Sequence, residues 1–280
     1  MKMVGIIDYY INEWHADNYP AWLEEANREL GTDYQVKYVW AQEEVSPWNG
    51  RTTDQWCAQF GAQKCQSIRE LCQKSDGVMI LAPSDPDRHL AYAQEAFPYA
   101  KRLFIDKTFA PDLETAKRIF ALGEQYKVPF FSTSALRYAT ELNDLGDCSA
   151  LIVTGGGSNL NEYLVHLCEI AVKMMGFDRY RVQVIPQGEQ RLIRCVGSER
   201  EFTLVYARPY AYTVCGQNRE NGKYRSIKSP FFNGLLKDIV GFFESGSCPF
   251  DPRETLQVMA LRDAILQADQ TGTAVYSQRV

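Results

Sequence analysis

The sequence predicts an α/β protein: an N-terminal Rossmann-type, doubly wound parallel sheet followed by a C-terminal α+β domain whose sheet is largely antiparallel. Three observations carry the prediction. Short apolar runs and amphipathic stretches alternate as β-α-β-α-β-α-β-α-β through residues 1–132. One run, GVMILA at 77–82, is apolar throughout, as a parallel strand covered on both faces must be. Beyond residue 134 the pattern shifts toward strict alternation, the mark of antiparallel strands with one wet face.

Each element follows from its own residues. KMVGII at 2–7 reads as the first strand, and 14–30 as a helix with Pro20 in its first half and Gly31 as its C-cap. YQVKYVW at 34–40 is aromatic and β-branched, hence a strand, whereas VSPWNGRTTDQW at 45–56 breaks periodicity and reads as turns. Helices are expected over 66–73, 86–96 and 113–126, and strands over 77–82, 102–106 and 129–132. In the second domain, 133–280, the segments 161–175 and 231–243 read as helices and 191–195 and 201–207 as strands. A terminal helix over 252–270 is marked by Pro252 at its start and Gly272 past its end.

Composition bounds the function classes. With 280 residues, 45% of them apolar and 23% charged, the chain can bury the cores of two ordinary domains. A net charge of −5 offers no basic field, so neither nucleic acid nor a membrane surface is an expected partner. The opening MKMVGIIDYY is interrupted by Asp8 and lacks a signal-peptide core, which points to a cytoplasmic protein. Eight cysteines occur without a CxxC pair or Cys/His cluster; reduced thiols and no metal site are expected.

In a doubly wound sheet, ligands bind beyond the carboxyl ends of the strands. Here those ends lead into the loops 8–13, 41–44, 83–87 and 106–109. Four strings carry a resemblance: SDGVMILAPSDPDRHLAYAQEAF, LFIDKTFAPDLETAKRIF, GGGSNLNEYLVHLCEIAVKMMG and GFFESGSCPFDPRETLQVMALRDAILQADQTGTAVYS. In order and spacing they resemble the glucose-fructose oxidoreductase/inositol dehydrogenase/MocA family of NAD(P)-dependent enzymes.

The resemblance implies a nucleotide-binding first domain and a second domain for substrate and oligomerisation. It implies an oxidoreductase acting on a sugar, cyclitol or related hydroxy/keto compound. Separately, the aromatic-rich strands around Phe202 to Tyr212 can supply an open sheet face for a homo-oligomer through the C-terminal sheet. The family's Glu-Lys-Pro motif is written here Asp106-Lys107-Thr108, which makes Lys107 the residue that polarises the reacting carbonyl or alcohol; a cation there stabilises developing oxyanion character. His166 matches the family's helix-borne histidine and is the candidate for proton transfer, with Glu169 on the same helix face to orient it or share the proton. The implied cofactor contacts are Asp8 and Tyr10 after the first strand, Glu43 after the second, Ala82 and Pro83 after the third, and Asp106 after the fourth. Glu43, with Gln42 and Glu44 beside it, suits the ribose of NAD rather than the 2′-phosphate of NADP. His15 and His89 are expected to cap or pack at helix starts, Gly155 to Gly157 to form a turn, and Arg137 either to face the cleft or to sit in a surface pair.

The first loop departs from the family. A dinucleotide site uses G-x-G-x-x-G to turn tightly and bring the pyrophosphate onto a helix N-terminus. Residues 8–13 read Asp-Tyr-Tyr-Ile-Asn-Glu, with no glycine. Asp8 and Glu13 place carboxylates where phosphates would lie, and a like-charge contact at ~4 Å and an effective dielectric of ~20 costs about 4 kcal/mol. Glu13 is positioned to cap the helix itself, filling the anion site with protein. Thr108 in place of proline also removes a fixed φ beside Lys107. Two functions follow: the oxidoreductase, favoured by Lys107 and His166, which folding does not require; and a ligand-binding or regulatory protein without dinucleotide binding, favoured by the glycine-free loop. A lyase or isomerase using the same fold is a third.

Overall fold

The computed structural model describes residues 1–83, 85–218 and 221–280; Ser84, in the expected loop 83–87, lies outside them. The chain divides into two compact units, Met1–Thr133 with Phe232–Pro252, and Ser134–Phe231 with Arg253–Val280. In chain order the first stretch contains β1 (Lys2–Asp8), α1 (Trp14–Leu30), β2 (Tyr34–Ala41), α2 (Thr53–Phe60), β3 (Gln63–Lys64), α3 (Ile68–Lys74), β4 (Gly77–Ile80), α4 (His89–Ala96), β5 (Leu103–Ile105), α5 (Leu113–Tyr126) and β6 (Phe130–Ser132). There follow β7 (Ala150–Gly155), α6 (Leu160–Met175), β8 (Arg181–Gln187), β9 (Gln190–Val196), β10 (Glu201–Tyr206), β11 (Thr213–Gln217) and β12 (Gly222–Ser226). The helices α7 (Phe231–Ser245) and α8 (Arg253–Thr271) and the short β13 (Val275–Tyr276) complete the chain.

In the first unit the six strands run parallel in the order β3-β2-β1-β4-β5-β6. The order reverses between β1 and β4, so the crevice for a ligand opens at their carboxyl ends. β4 is buried at every position, which agrees with its unbroken apolar sequence. The sheet has one strand more than the sequence pattern predicts, because α2 and β3 arise within and just after the turn-rich segment 45–56. A capping box starts α2: Thr52 accepts from the Gln55 amide while the Gln55 side chain accepts from the Thr52 amide. That signal is legible as T-x-x-Q, but Pro47, Asn49 and Gly50 just before it favour turns.

The cut at 132/133 expected from the sequence lies beside the first crossing between the units, yet the chain returns to the first unit over 232–252. Helix α7 makes this return. Its Phe242 ring lies 5.0 Å from that of Phe131, and Phe243 lies 5.9 Å from Tyr34. Arg102 donates to the Phe243 carbonyl, one of the acceptors a helix C-terminus leaves open. Amphipathic spacing shows that α7 must bury one face; it does not say which sheet supplies the cover.

The second unit is built on a seven-stranded sheet in the order β12-β11-β7-β10-β9-β8-β13. All its pairings are antiparallel except β7 with β10. Helices α6 and α8 share one core with this sheet: Leu164, Cys168, Leu261 and Ile265 cluster with Val153, Val182, Ile193 and Leu204. The aromatic residues of 202–212 are expected to supply an open face for a partner. Phe202 and Tyr206 instead belong to this core, because every second residue of β10 faces the helices. Among the described residues, the large apolar side chains left exposed on the sheet are Ile152, Ile185, Tyr224 and Tyr276.

Gly77 reports on how closely α7 is seated. A Cβ built there would stand 2.5 Å from Phe243 Cδ2. Gly77→Ala is therefore expected to destabilise the first unit by about 1–3 kcal/mol, the usual cost of overpacking. Urea denaturation of the variant against wild type measures it.

Candidate functional site

Loop 8–13 at the end of β1 needs no glycine because none of its residues adopts a positive φ. Instead the loop is pinned by side chains. Asn12 donates to both carboxylate oxygens of Asp17 at 3.1 and 3.0 Å and accepts from Asn49 at 2.9 Å, while Ser46 Oγ donates to the Asn12 carbonyl at 3.1 Å. Trp48, 81% exposed, donates from its indole to the Tyr10 hydroxyl. The unusual backbone lies across the switch point, where Ala82 has φ of 40°. A left-handed alanine is strained, and such strain persists only when surrounding contacts impose it. Asp8 supplies that contact: its Oδ1 accepts from the Ala82 amide at 3.1 Å and the Tyr9 amide at 2.6 Å.

Asp8 is buried, and its Oδ2 has no hydrogen-bond partner among the described residues. Burial, then the nearby Glu13 charge, pushes its carboxyl well above the ordinary range. Glu13 is the N-cap of α1. Its carboxylate accepts from the His15 amide at 2.8 Å and the Ala16 amide at 2.5 Å. Burial raises Glu13 as well, against the pull of His15 and these amides. Together with Tyr10, Ala82 and Pro83, both acids line a pocket of about 640 Å³ within the first unit. Asp17 and Asp85 also line it, and no lysine or arginine does among the described residues.

Asp106 follows β5 and is buried rather than exposed beside Lys107. Its Oδ2 lies 2.5 Å from His15 Nδ1. Burial alone would raise the Asp106 carboxyl, but His15, and to a lesser extent Lys107, hold it below the usual range. His15, expected only to pack at a helix start, is thus the partner that makes a buried Asp106 tenable. Lys107 is half-buried, donates to the Pro83 carbonyl at 3.2 Å, and joins Thr108 through a cis peptide. His89 is fully buried between the carbonyls of Phe109 and Leu81, at 3.0 and 2.7 Å, as a packing role requires.

Glu43 is exposed; its amide donates to the Tyr9 carbonyl at 2.7 Å, tying the loops after β1 and β2 together. Beside it, Gln42 Oε1 accepts from Arg88 at 2.9 Å and Tyr92 at 2.7 Å. Arg88 also pairs with Asp85 at 2.5 Å and stacks 3.7 Å from the Tyr9 ring centroid. A basic group therefore stands at the end of β2, which the local string of acids gives no hint of.

The second unit assembles its own constellation. Ser134 Oγ lies 2.6 Å from His166 Nδ1 and accepts from the Leu136 amide at 3.3 Å, capping the turn Ala135–Tyr138. Glu169 takes the Ser134 amide at 3.3 Å on one oxygen and Arg137 Nη1 at 3.0 Å on the other. Arg137 also reaches Glu254 at 2.5 Å. Glu169 and His166 thus both contact Ser134, one through its amide and the other through its hydroxyl, and Arg137 is in a buried ion-pair network, not a surface pair. The Ser-Ala-Leu-Arg string carries a capping signal for Ser134, but nothing local that aims its hydroxyl at residue 166.

A parallel sheet in the order 3-2-1-4-5-6 is the Rossmann-type doubly wound arrangement, here followed by a unit with a mixed, largely antiparallel sheet. Solved structures with this fold match nearly the whole chain. They include GenD2 from gentamicin A biosynthesis in complex with NAD (12% identity, 99% of this chain and 97% of that one, TM-score 0.79). An oxidoreductase from Agrobacterium radiobacter in complex with NAD+, L-tartaric acid and magnesium matches at 12% identity, 98% of each chain and a TM-score of 0.76. The dehydrogenase MviM from Clostridium difficile matches at 11% identity, 95% of this chain and 99% of that one, with a TM-score of 0.74. These neighbours are of the glucose-fructose oxidoreductase/inositol dehydrogenase/MocA type, and the chain shares their fold. No family model and no curated protein matches the sequence.

At the pyrophosphate position the residues present do not fit a dinucleotide as they stand. The α1 amides that would meet phosphate are held by Glu13, and the adjoining walls are acidic.

The raised Asp8 carboxyl has a measurable consequence. A group whose folded pKa is raised contributes stability below its unfolded pKa that is lost as pH rises through the folded value. Asp8→Asn keeps an acceptor for Ala82 without the charge, so its melting temperature relative to wild type should rise more at pH 8 than at pH 5. Roughly 2–4 °C at pH 8 is expected, the effect of about 1 kcal/mol in a domain of this size. Thermal melts at the two pH values measure it; equal shifts would assign Asp8 no electrostatic cost.

Proposed function

We propose that this chain is an NAD(P)-dependent oxidoreductase acting on a sugar, cyclitol or related hydroxy/keto compound. The observation that carries this reading is the full-length likeness to dehydrogenase structures, among them two described with NAD or NAD+. One of those also holds L-tartaric acid, a small polyhydroxylated compound. Lys107, at the end of a central strand, is the electrophilic residue: its ammonium stabilises negative charge on the reacting oxygen. His166 takes or gives the proton, with its ring orientation set by Ser134 Oγ on Nδ1. Glu169 and Arg137 hold Ser134 and its turn in place. Glu43 serves the ribose of the cofactor, NAD in preference to NADP, while Asp8, Tyr10, Ala82, Pro83 and Asp106 form the walls at the strand ends.

A homo-oligomer through the exposed face of the second sheet, and a cytoplasmic location, belong to the same reading. All eight cysteines are free, which suits a reducing compartment. No helix among the described residues is long and apolar enough to cross a membrane.

A second reading rests on Glu13. Its carboxylate on the α1 amides favours a protein that keeps the fold, has given up the dinucleotide, and binds another ligand or regulates.

Titration with NADH and NADPH, followed by nicotinamide fluorescence, separates the readings. Binding in the micromolar range is expected of the oxidoreductase; no response at millimolar cofactor would leave the second reading. With cofactor and substrate in hand, Lys107→Ala should lower kcat by roughly 10²–10³, the scale of losing one oxyanion-stabilising group, with little change in KM. Ser134→Ala should lower kcat less than His166→Ala and should shift the pH profile, which a purely structural serine would leave in place.

A further inference from the structure

Four carboxylates and a set of aromatic rings line the pocket of about 640 Å³ at the β1/β4 switch point. Three of the four are already matched by donors: Glu13 holds the His15 and Ala16 amides, Asp17 takes Asn12 and the Trp56 indole, and Asp85 pairs with Arg88. Asp8 is the exception. It is 1% exposed, its Oδ1 is occupied by the Tyr9 and Ala82 amides, and its Oδ2 meets no donor among the described residues. We propose that this pocket is a binding site for a protonated primary or secondary amine with an apolar body, the ammonium donating to Asp8 Oδ2 and the body lying against Tyr10, Trp14 and Trp48. The proposal rests on the reading in which the chain has given up the dinucleotide, and it names the chemical class of the ligand that takes its place.

An amine brings what the site lacks. A buried acceptor without a donor is costly, and more so when like charges surround it. Burial and then the neighbouring Glu13, with a smaller push from Asp106, hold the Asp8 carboxyl above its ordinary range, as expected of an acid with no counter-charge. An ammonium supplies donor and charge together. A hydroxyl supplies only the donor, and a quaternary ammonium only the charge.

The walls suit the rest of such a ligand. No lysine or arginine lines the pocket among the described residues, and the same four acids disfavour an anion. Trp14 and Trp48 are 54% and 81% exposed, large apolar surfaces left open at a concave site. Aromatic faces also attract cations. The chain makes this pairing once beside the pocket, where the Arg88 guanidinium lies 3.7 Å from the Tyr9 ring centroid while bonding to Asp85. That contact occupies a face of Tyr9 and leaves Tyr10, Trp14 and Trp48 to the ligand.

The test is calorimetric titration of the full chain with 2-phenylethylamine, with its alcohol analogue 2-phenylethanol, and with its N-trimethylated analogue. The amine should bind in the micromolar range and both analogues about tenfold more weakly or worse, the scale of one charged hydrogen bond. Asp8→Asn, which keeps an acceptor for Ala82 and removes the charge, should weaken the amine by about tenfold or more. Trp48→Ala, at an exposed ring, should weaken it by about fivefold. Glu114→Gln on α5, a control for net charge, should leave affinity within about twofold. An alcohol or trimethylated analogue that binds as tightly as the amine would overturn the proposal, as would unchanged affinity in Asp8→Asn or in Trp48→Ala, or a loss in Glu114→Gln equal to that in Asp8→Asn. NADH titrated in parallel separates the two failures. If neither NADH nor the amine binds at millimolar concentration, this inference falls and the reading without a dinucleotide stands; micromolar NADH binding that the amine does not displace sinks that reading and this inference with it.

Discussion

The hydrogen bonds from Tyr9 and Ala82 to the Asp8 carboxylate join the ends of β1 and β4 at the point where the sheet changes direction. Much of the surrounding geometry follows from that contact. It holds Ala82 in a left-handed conformation that alanine would otherwise avoid, and it lets loop 8–13 leave the sheet without a positive φ. With no tight glycine turn, the loop is long enough in reach to place Glu13 on the first amides of α1. Polar contacts by Asn12, Ser46 and Asn49 then secure it.

This arrangement concentrates acid where the fold usually concentrates the means of binding an anion. Asp8, Glu13 and Asp106 stand close enough to act on one another, and the imidazole of His15 faces the last two. The three are not equivalent: burial, with a smaller push from neighbouring like charges, raises the first two, whereas His15 draws Asp106 down. A buried carboxylate is costly unless it is paired, and here His15 supplies the pairing for Asp106. In the second unit the same demand is met by a chain of partners, in which Glu254 and Glu169 neutralise Arg137 and Glu169 also receives the Ser134 amide beside His166.

Fold and site therefore carry different information. The sheet order, the α/β layering and the mixed second sheet are shared with structures only 11–12% identical in sequence, because they depend on apolar patterning that many residue choices satisfy. A phosphate seat depends on a few backbone amides being free. Here Glu13 takes two of those amides, so likeness of fold does not carry the phosphate seat with it.

The parallel sheet was legible because uninterrupted runs such as GVMILA have no other stable home, and Gly31 closes α1 as its position suggested. Glu13 was also legible as a cap, since its place before an amphipathic helix is a local property. What local sequence could not show were contacts between segments far apart in the chain: α7 returning to cover Phe131 and Gly77, His15 meeting Asp106, Arg88 reaching Gln42, and Ser134 meeting His166. Sequence by itself determined the period and the burial demand of each element, because these depend on neighbours three or four residues away at most. Only the tertiary structure decided which buried acid found a partner, because charge pairing in a low-dielectric interior is settled by distances of a few ångströms between residues that sequence spacing does not relate.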